Sequence, residues 1–159
     1  MAEDIFEAAM NGDVNELRRF VNEEGVNPNT LDDVHRETPL NFACWHQQFA
    51  AVRYLVEEAH VKTDIVGEDE WTALHAACAS SVVGFELVQY LVETVGISVN
   101  SETSEGRMPL HHVCNSDTAD LDIIKYLVEN QQAYVDVMDK RGLTPLDMIW
   151  RRDGMDASV

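Results

Sequence analysis

Basic residues are scarce in this chain. Eleven Lys and Arg stand against 29 Asp and Glu in 159 residues, a formal net charge of −18. Such a field repels phosphate backbones and anionic lipid, so neither nucleic acid nor a membrane is expected as a partner. A basic protein partner is favoured instead, although excess acid also serves plain solubility. Long hydrophobic runs are missing as well. No apolar stretch approaches the roughly 18 residues of a membrane span. The opening MAEDIFEAAMNGD has no basic segment ahead of an apolar one, so no secretory leader is expected. Cysteine is sparse and odd in number: three residues, with no C-x-x-C pair. That usage fits a reducing compartment, with the cytoplasm expected and the nucleus as the alternative. There is no N-x-S/T sequon and no low-complexity tract. Gly-rich phosphate loops, H-E-x-x-H and G-x-S-x-G are absent too.

What is present is repetition. ETPLNFACWH from Glu37, WTALHAACAS from Trp71, RMPLHHVCNS from Arg107 and LTPLDMIWRR from Leu143 align at spacings of 34, 36 and 36. Behind them run RYLVEE, QYLVET and KYLVEN, whose Tyr54, Tyr90 and Tyr126 are 36 residues apart each time. RRFVNE, with Phe20, and DIFEAAMNGD form a diverged first unit. Each unit thus has two short segments with apolar residues at helical spacing, as in Leu74, Ala77 and Cys78, then Leu87, Val88, Leu91 and Val92. Polar stretches such as VNSETSEGR read as turns and extended loops.

The first segment carries a helix start. Thr38, Thr72 or Thr144 can cap it, accepting a backbone N–H. Pro39 and Pro145 follow at the first helical position, where a missing N–H costs little. Asn41, His75, His111 and Asp147 then lie where a side chain can reach back to the cap, as in a capping box. Asp4 and Glu7 play these parts in the first unit. Met108 has no hydroxyl, so its helix start is expected to be weaker by about 1 kcal/mol, and threonine there to be stabilising.

Units of this length bearing TPLNFA, TALHAA, MPLHHV and TPLDMI resemble ankyrin repeats, whose signature is T-P-L-H-x-A. The resemblance spans nearly the whole chain. It implies an all-α solenoid of stacked helix-turn-helix units with β-turn fingers. A single domain, 1–159, is expected, with repeats at about 3–34, 35–68, 69–104 and 105–140 and a partial one at 141–152. Departures stand out. The turn glycine seen as Gly12 is Gln47 in the second unit. The glycine before the motif, present as Gly106 and Gly142, is replaced by Arg36 and Glu70. Two extra residues enter near SSVVG and NSDTAD.

The same register weighs against chemistry at the His and Cys positions. Cys44, Cys78 and Cys114 share one slot, where a small buried apolar residue is expected. Stacked helices lie about 8–10 Å apart, beyond the roughly 7 Å that a disulfide spans. The pairs Cys44/His46, His75/Cys78 and His111/Cys114 are strung along a stack, whereas zinc needs four ligands converging on a point. Neither a metal, a cofactor nor a catalytic centre is expected. Glu57, Glu93 and Glu129, one per unit, are expected on a solvated edge where they repel one another.

Ankyrin repeats bind protein partners through finger tips and the exposed, concave face of the first helices. Carried over, the finger-tip slot holds Glu37, Trp71, Arg107 and Leu143, with Asp69 and Glu70 beside Trp71. The outward helix slot holds Phe42, Ala76, His112 and Met148. The helix-end slots hold Trp45 and His46, then Ala79 and Ser80, then Asn115 and Ser116. The candidate partner-binding residues are Trp71, Trp45, His46, Glu37, Arg107, Asp69, Glu70, Phe42 and His112. The two tryptophans are the expected anchors, because Trp and Arg dominate interface energetics. The alternative for each is packing against the next unit. Aromatic faces beside carboxylates would also suit a cationic side chain, arginine or methylated lysine. Met148, Ile149 and Trp150 are expected to be partly uncovered unless the tail DGMDASV or a partner folds over them. The expected protein is a monomeric, non-catalytic interaction module, with an acidic escort for a basic protein as the alternative.

Overall fold

The computed structural model describes residues 2–67, 69–116 and 120–152. Four helix pairs and a final single helix follow one another: α1 (Ile5–Asn11) with α2 (Val14–Arg18), α3 (Pro39–Trp45) with α4 (Phe49–Arg53), α5 (Ala73–Ala79) with α6 (Phe85–Gln89), α7 (Pro109–Asn115) with α8 (Leu121–Lys125), then α9 (Pro145–Arg152). No strand occurs among the described residues. The odd-numbered helices pack side by side in the order α1, α3, α5, α7, α9, and each even-numbered helix packs on its own partner. The tail DGMDASV lies outside the described residues.

The helix starts follow local chemistry. Thr38 Oγ1 accepts from the Asn41 amide at 3.1 Å, and Asp4 Oδ1 from the Glu7 amide at 2.8 Å. Asp147 Oδ2 accepts from both the amide and the hydroxyl of Thr144, at 2.8 and 2.7 Å. Each second helix ends in a widened π turn, over Arg19–Glu23, Tyr54–Glu58, Tyr90–Thr94 and Tyr126–Asn130. A left-handed residue closes each one: Gly25, His60, Gly96 and Gln132. The following amide then reaches six residues back, as from Val61 to Leu55 and from Ile97 to Leu91, both at 3.0 Å.

The core is a column of one small layer per unit. Ala43 with Cys44, Ala77 with Cys78 and Val113 with Cys114 occupy equivalent buried places in successive odd-numbered helices. The three cysteines form no disulfide among the described residues, and burial raises the thiols of Cys44 and Cys78 far above the ordinary range. Small residues in this row let the helices approach, and Leu40, Leu74 and Leu110 fill between layers.

The second row is tied by tyrosines. The Tyr90 hydroxyl donates to Glu57 at 3.0 Å and that of Tyr126 to Glu93 at 2.9 Å. Phe49 meets the Tyr90 ring at 5.3 Å and Phe85 the Tyr126 ring at 5.2 Å, both edge to face. Glu57 and Glu93 are therefore acceptors in an inter-unit ladder rather than merely solvated, repelling charges. Arg53, then Tyr90, holds the Glu57 carboxyl below the usual range.

Three sequence expectations change here. Met148 is buried at 3% exposure rather than uncovered, because α9 lies on α7; Trp150 is exposed. Met108 is fully buried, and the His111 ring accepts its amide at 3.1 Å. The side chain that cannot cap is a core side chain. A threonine at 108 would gain a cap of about 1 kcal/mol and open a cavity of about 2–5 kcal/mol. Finally, Arg36, Gln47 and Glu70 keep the left-handed backbone of the glycines they replace, at φ 56°, 57° and 59°. Gln47 is compensated: its amide donates to Cys44 and Ala77 carbonyls at 3.1 and 2.8 Å and accepts from the Gly84 amide at 2.8 Å. It clamps the longer turn of the next unit.

Met108→Thr is accordingly expected to lower stability by about 1–4 kcal/mol, against the sign read from the sequence. Leu74→Ala is expected to cost about 2–5 kcal/mol. Urea unfolding of the two variants checks both, and a stabilised Met108→Thr would restore the capping account.

Candidate functional site

The buried histidines settle whether the motif is chemical or structural. His75 Nδ1 accepts the Thr72 amide at 3.2 Å, which leaves the proton on Nε2. Nε2 donates across to the next finger, to the carbonyls of Ser101 and Arg107 at 3.0 and 3.1 Å. His111 repeats this, with Nε2 donating to the Leu143 carbonyl at 3.2 Å. Asn41 differs from the capping expectation. Its side-chain amide does not reach back to Thr38 but donates to the Glu37 carboxylate and to the Trp71 carbonyl, the latter at 3.2 Å. With both nitrogens of His75 and His111 engaged by the main chain, neither ring is available as a ligand or base. Among the described residues no group of three His, Cys, Asp or Glu side chains converges as metal ligands.

The third ring, His112, is the exception. It stands in the slot read as outward, yet it is buried, at 9% exposure, and Ala76 in the same slot is at 2%. The reason is Trp71, whose ring covers His112 at 4.6 Å between centroids. His112 also meets the His75 ring edge to face at 5.7 Å. Its Nε2 has no hydrogen-bond partner among the described residues.

Above this floor lies an aromatic shelf. Trp45, the end of α3, stacks on Trp71 at 5.5 Å with a 31° tilt. Trp45 is 44% exposed while Trp71 is half-buried, so the outer ring is Trp45 and Trp71 is its support. An open pocket lies on each side. One, of about 260 Å³, is lined by His35, Asn41, Phe42, Trp45, His46 and Ala76. The other, of about 430 Å³, gathers the helix-end residues Trp45, Ala79, Ser80, Asn115 and Ser116 together with Ser81 and His112. Phe42 is half-buried between the rings of Phe6 and His35, at 5.7 and 6.3 Å.

Not every candidate residue joins this shelf. Arg107 is drawn into structure: its Nε donates to the buried Asp139 carboxylate of the next finger at 3.0 Å. Burial raises Asp139, but the Leu143 amide, Arg107 and the Arg141 amide outweigh it and hold the acid below its usual range. Asp69 is exposed and accepts the Ser104 amide and hydroxyl, at 2.9 and 3.3 Å. Glu70 is exposed at its left-handed turn, and His46 is exposed at the end of α3. Glu37 is half-buried. His35 was not singled out, because its finger aligns with no repeated His.

The sequence match agrees with the geometry. The chain matches the family described as ankyrin repeats (3 copies) over residues 5–103 and again over 79–150. This is an ankyrin-repeat protein. No curated protein sequence matches it. Ankyrin repeats serve protein–protein interaction and are typically non-catalytic. Among the described residues no helix is long and apolar enough to cross a membrane.

The histidine locks give this ankyrin stack an acid limit. In the unfolded chain each ring takes a proton near pH 6.5; in the fold, burial pushes His75 down to about 4 against the pull of the Arg107 and Ser101 carbonyls. Burial, reinforced by His75, Arg107 and His111, pushes His112 to about 3, and His111 is lowered too, mainly by burial. The unfolded state binds more protons in that window. Stability from these rings is therefore complete above pH 6.5 and is lost as pH falls towards 4. His75→Asn, the residue that position 41 already uses, is expected to reduce the slope by one proton, about 1.4 kcal/mol per pH unit. Urea unfolding of variant and wild type across that window tests this, since the acidic residues contribute equally to both. Equal slopes would count against the lock.

Proposed function

We propose that the chain is a non-catalytic binding module that holds a basic protein segment on the concave face formed by the odd-numbered helices. The observation that carries this is the Trp45–Trp71 shelf, an exposed tryptophan on a buried support with an open pocket on either side. A rigid aromatic anchor with flanking pockets is the form that dominant interface residues take. The rest of the framework repeats its residues from unit to unit, whereas Trp45 and Trp71 do not recur in their slots. The net charge of −18 supplies steering towards a cationic partner.

The same charge favours a second reading, an acidic escort that shields a basic protein during assembly. Salt separates the two. Escort binding is dominated by charge and weakens steeply with ionic strength, while binding anchored on Trp45 retains most of its affinity.

Trp45→Ala is the informative variant. Trp71→Ala would uncover His112 and disturb the fold, whereas Trp45 lies on the outside. Affinity of the natural partner, isolated by capture from native lysate, is expected to fall by about 2 kcal/mol or more in Trp45→Ala. The unfolding midpoint is expected to move little. Equal partner affinity in variant and wild type would remove the shelf from the binding surface.

A further inference from the structure

Beside the shelf, one carboxylate is electrostatically incomplete. Glu37 is half-buried at the finger tip, with its side chain over Gly67, where an added Cβ would fall 2.3 Å from Oε1. Asn41 is its hydrogen-bond donor. Burial raises the Glu37 carboxyl, and nearby Asp32 and Asp69 raise it further, against Asn41 and His35. No Arg, Lys or His nitrogen lies within ion-pair distance of it among the described residues. Asp32 is different, because the amides of Val34, His35 and Glu37 occupy its oxygens at 3.0, 2.9 and 2.7 Å. A half-buried anion among anions costs free energy until a cation joins it.

Glu37 is linked to the smaller pocket. Asn41, its donor, is part of the pocket wall with Glu37 behind it; Phe42, Trp45 and Ala76 supply the apolar surface, and His35 and His46 complete the lining. Resting on the reading of this face as a partner surface, we propose that the pocket is an arginine subsite. The partner's arginine would lay its aliphatic stem on Phe42 and Ala76, its guanidinium plane on Trp45 and its N–H donors towards Glu37.

Arginine fits better than the other side chains. A guanidinium is planar, stacks on indole and donates in parallel pairs to a carboxylate, and it sheds water more readily than an ammonium. An apolar side chain would fill the same space and bury Glu37 further without compensating it. An anion would be repelled by Glu37 and by the net charge of −18.

The test titrates four blocked tripeptides into the full chain, acetyl-Gly-X-Gly-amide with X as arginine, lysine, citrulline or norleucine. The indole N–H signal of Trp45 reports binding. The arginine peptide is expected to shift that signal, with citrulline, which keeps the shape and loses the charge, weaker by about tenfold. Glu37→Gln, which preserves the acceptor for Asn41, is expected to weaken the arginine peptide by a similar factor, with an unfolding midpoint equal to or above that of the wild type because an uncompensated charge is removed. The subsite is overturned if norleucine binds as tightly as arginine, if Glu37→Gln leaves arginine binding unchanged, or if no peptide moves the Trp45 signal. Partner affinity that depends on Trp45 but not on Glu37 would remove the subsite and keep the broader surface. Arginine binding that needs Glu37, in a protein whose partner ignores Trp45→Ala, would do the reverse.

Discussion

The finger-tip carbonyls of the last three units are each caught by the unit before, and the stacking of those units depends on that catch. Asn41 donates to the carbonyl of Trp71, His75 to that of Arg107 and His111 to that of Leu143, at 3.2, 3.1 and 3.2 Å. The three donors occupy one helical position in successive units. Helices of seven residues have little stability alone, and each presents an apolar stripe that only its neighbours can cover. The catch fixes where the next helix begins, and hence which layer its leucine and cysteine enter. It also fixes the functional face. The Trp71 backbone is pinned by Asn41, so its ring lies over His112 and beneath Trp45.

A second set of ties serves the outer row, and it resolves an apparent conflict in the charge pattern. Stacked glutamates in an acidic protein repel, which makes Glu57 and Glu93 look like a cost. In the fold each accepts a tyrosine hydroxyl from the following unit, and burial with the nearby glutamate pushes Tyr90 and Tyr126 up to about 12. The neutral phenol is thereby kept as donor throughout the physiological range. Asn22 occupies the equivalent place in the first unit and the Tyr54 hydroxyl has no hydrogen-bond partner among the described residues, so the ladder begins at Glu57. Acid in this row is used as hydrogen-bond acceptor, while acid at Glu37 is left without a cation.

Much of this was legible because repetition exposes what one unit alone would hide. The matching slots of Cys44, Cys78 and Cys114 identified packing positions, and the recurring Thr and His identified helix starts. The tyrosine spacing located a second helix without revealing the bond to Glu57, since register shows which residues align and not which ones touch across units. Met108 and His112 were misread for a related reason. Local capping rules assign Met108 a missing hydroxyl, and the repeat register assigns His112 to the outside. Both assignments are overridden by neighbours from other units: a closed core around Met108, and the Trp71 ring over His112. Arg107 was read as a rim contact for want of any signal that Asp139, 32 residues later, faces it.

The places where local rules fail are not scattered evenly. Left-handed backbone at Glu70, where glycine would be unstrained, immediately precedes Trp71 of the shelf. The unpartnered Nε2 of His112, worth about 1–3 kcal/mol of lost hydrogen bonding, lies directly beneath it. Glu37, the uncompensated carboxylate, lies at its edge. Other exceptions stand away from it: His60 and Gln132 are left-handed without being glycine, and the Tyr54 hydroxyl has no hydrogen-bond partner among the described residues, whereas Gln47 makes three hydrogen bonds at its turn. What distinguishes the shelf is that its departures stand beside an exposed tryptophan, the form that a recognition surface takes. Trp45, the exposed outer ring of that shelf, is the residue on which the proposed partner surface rests.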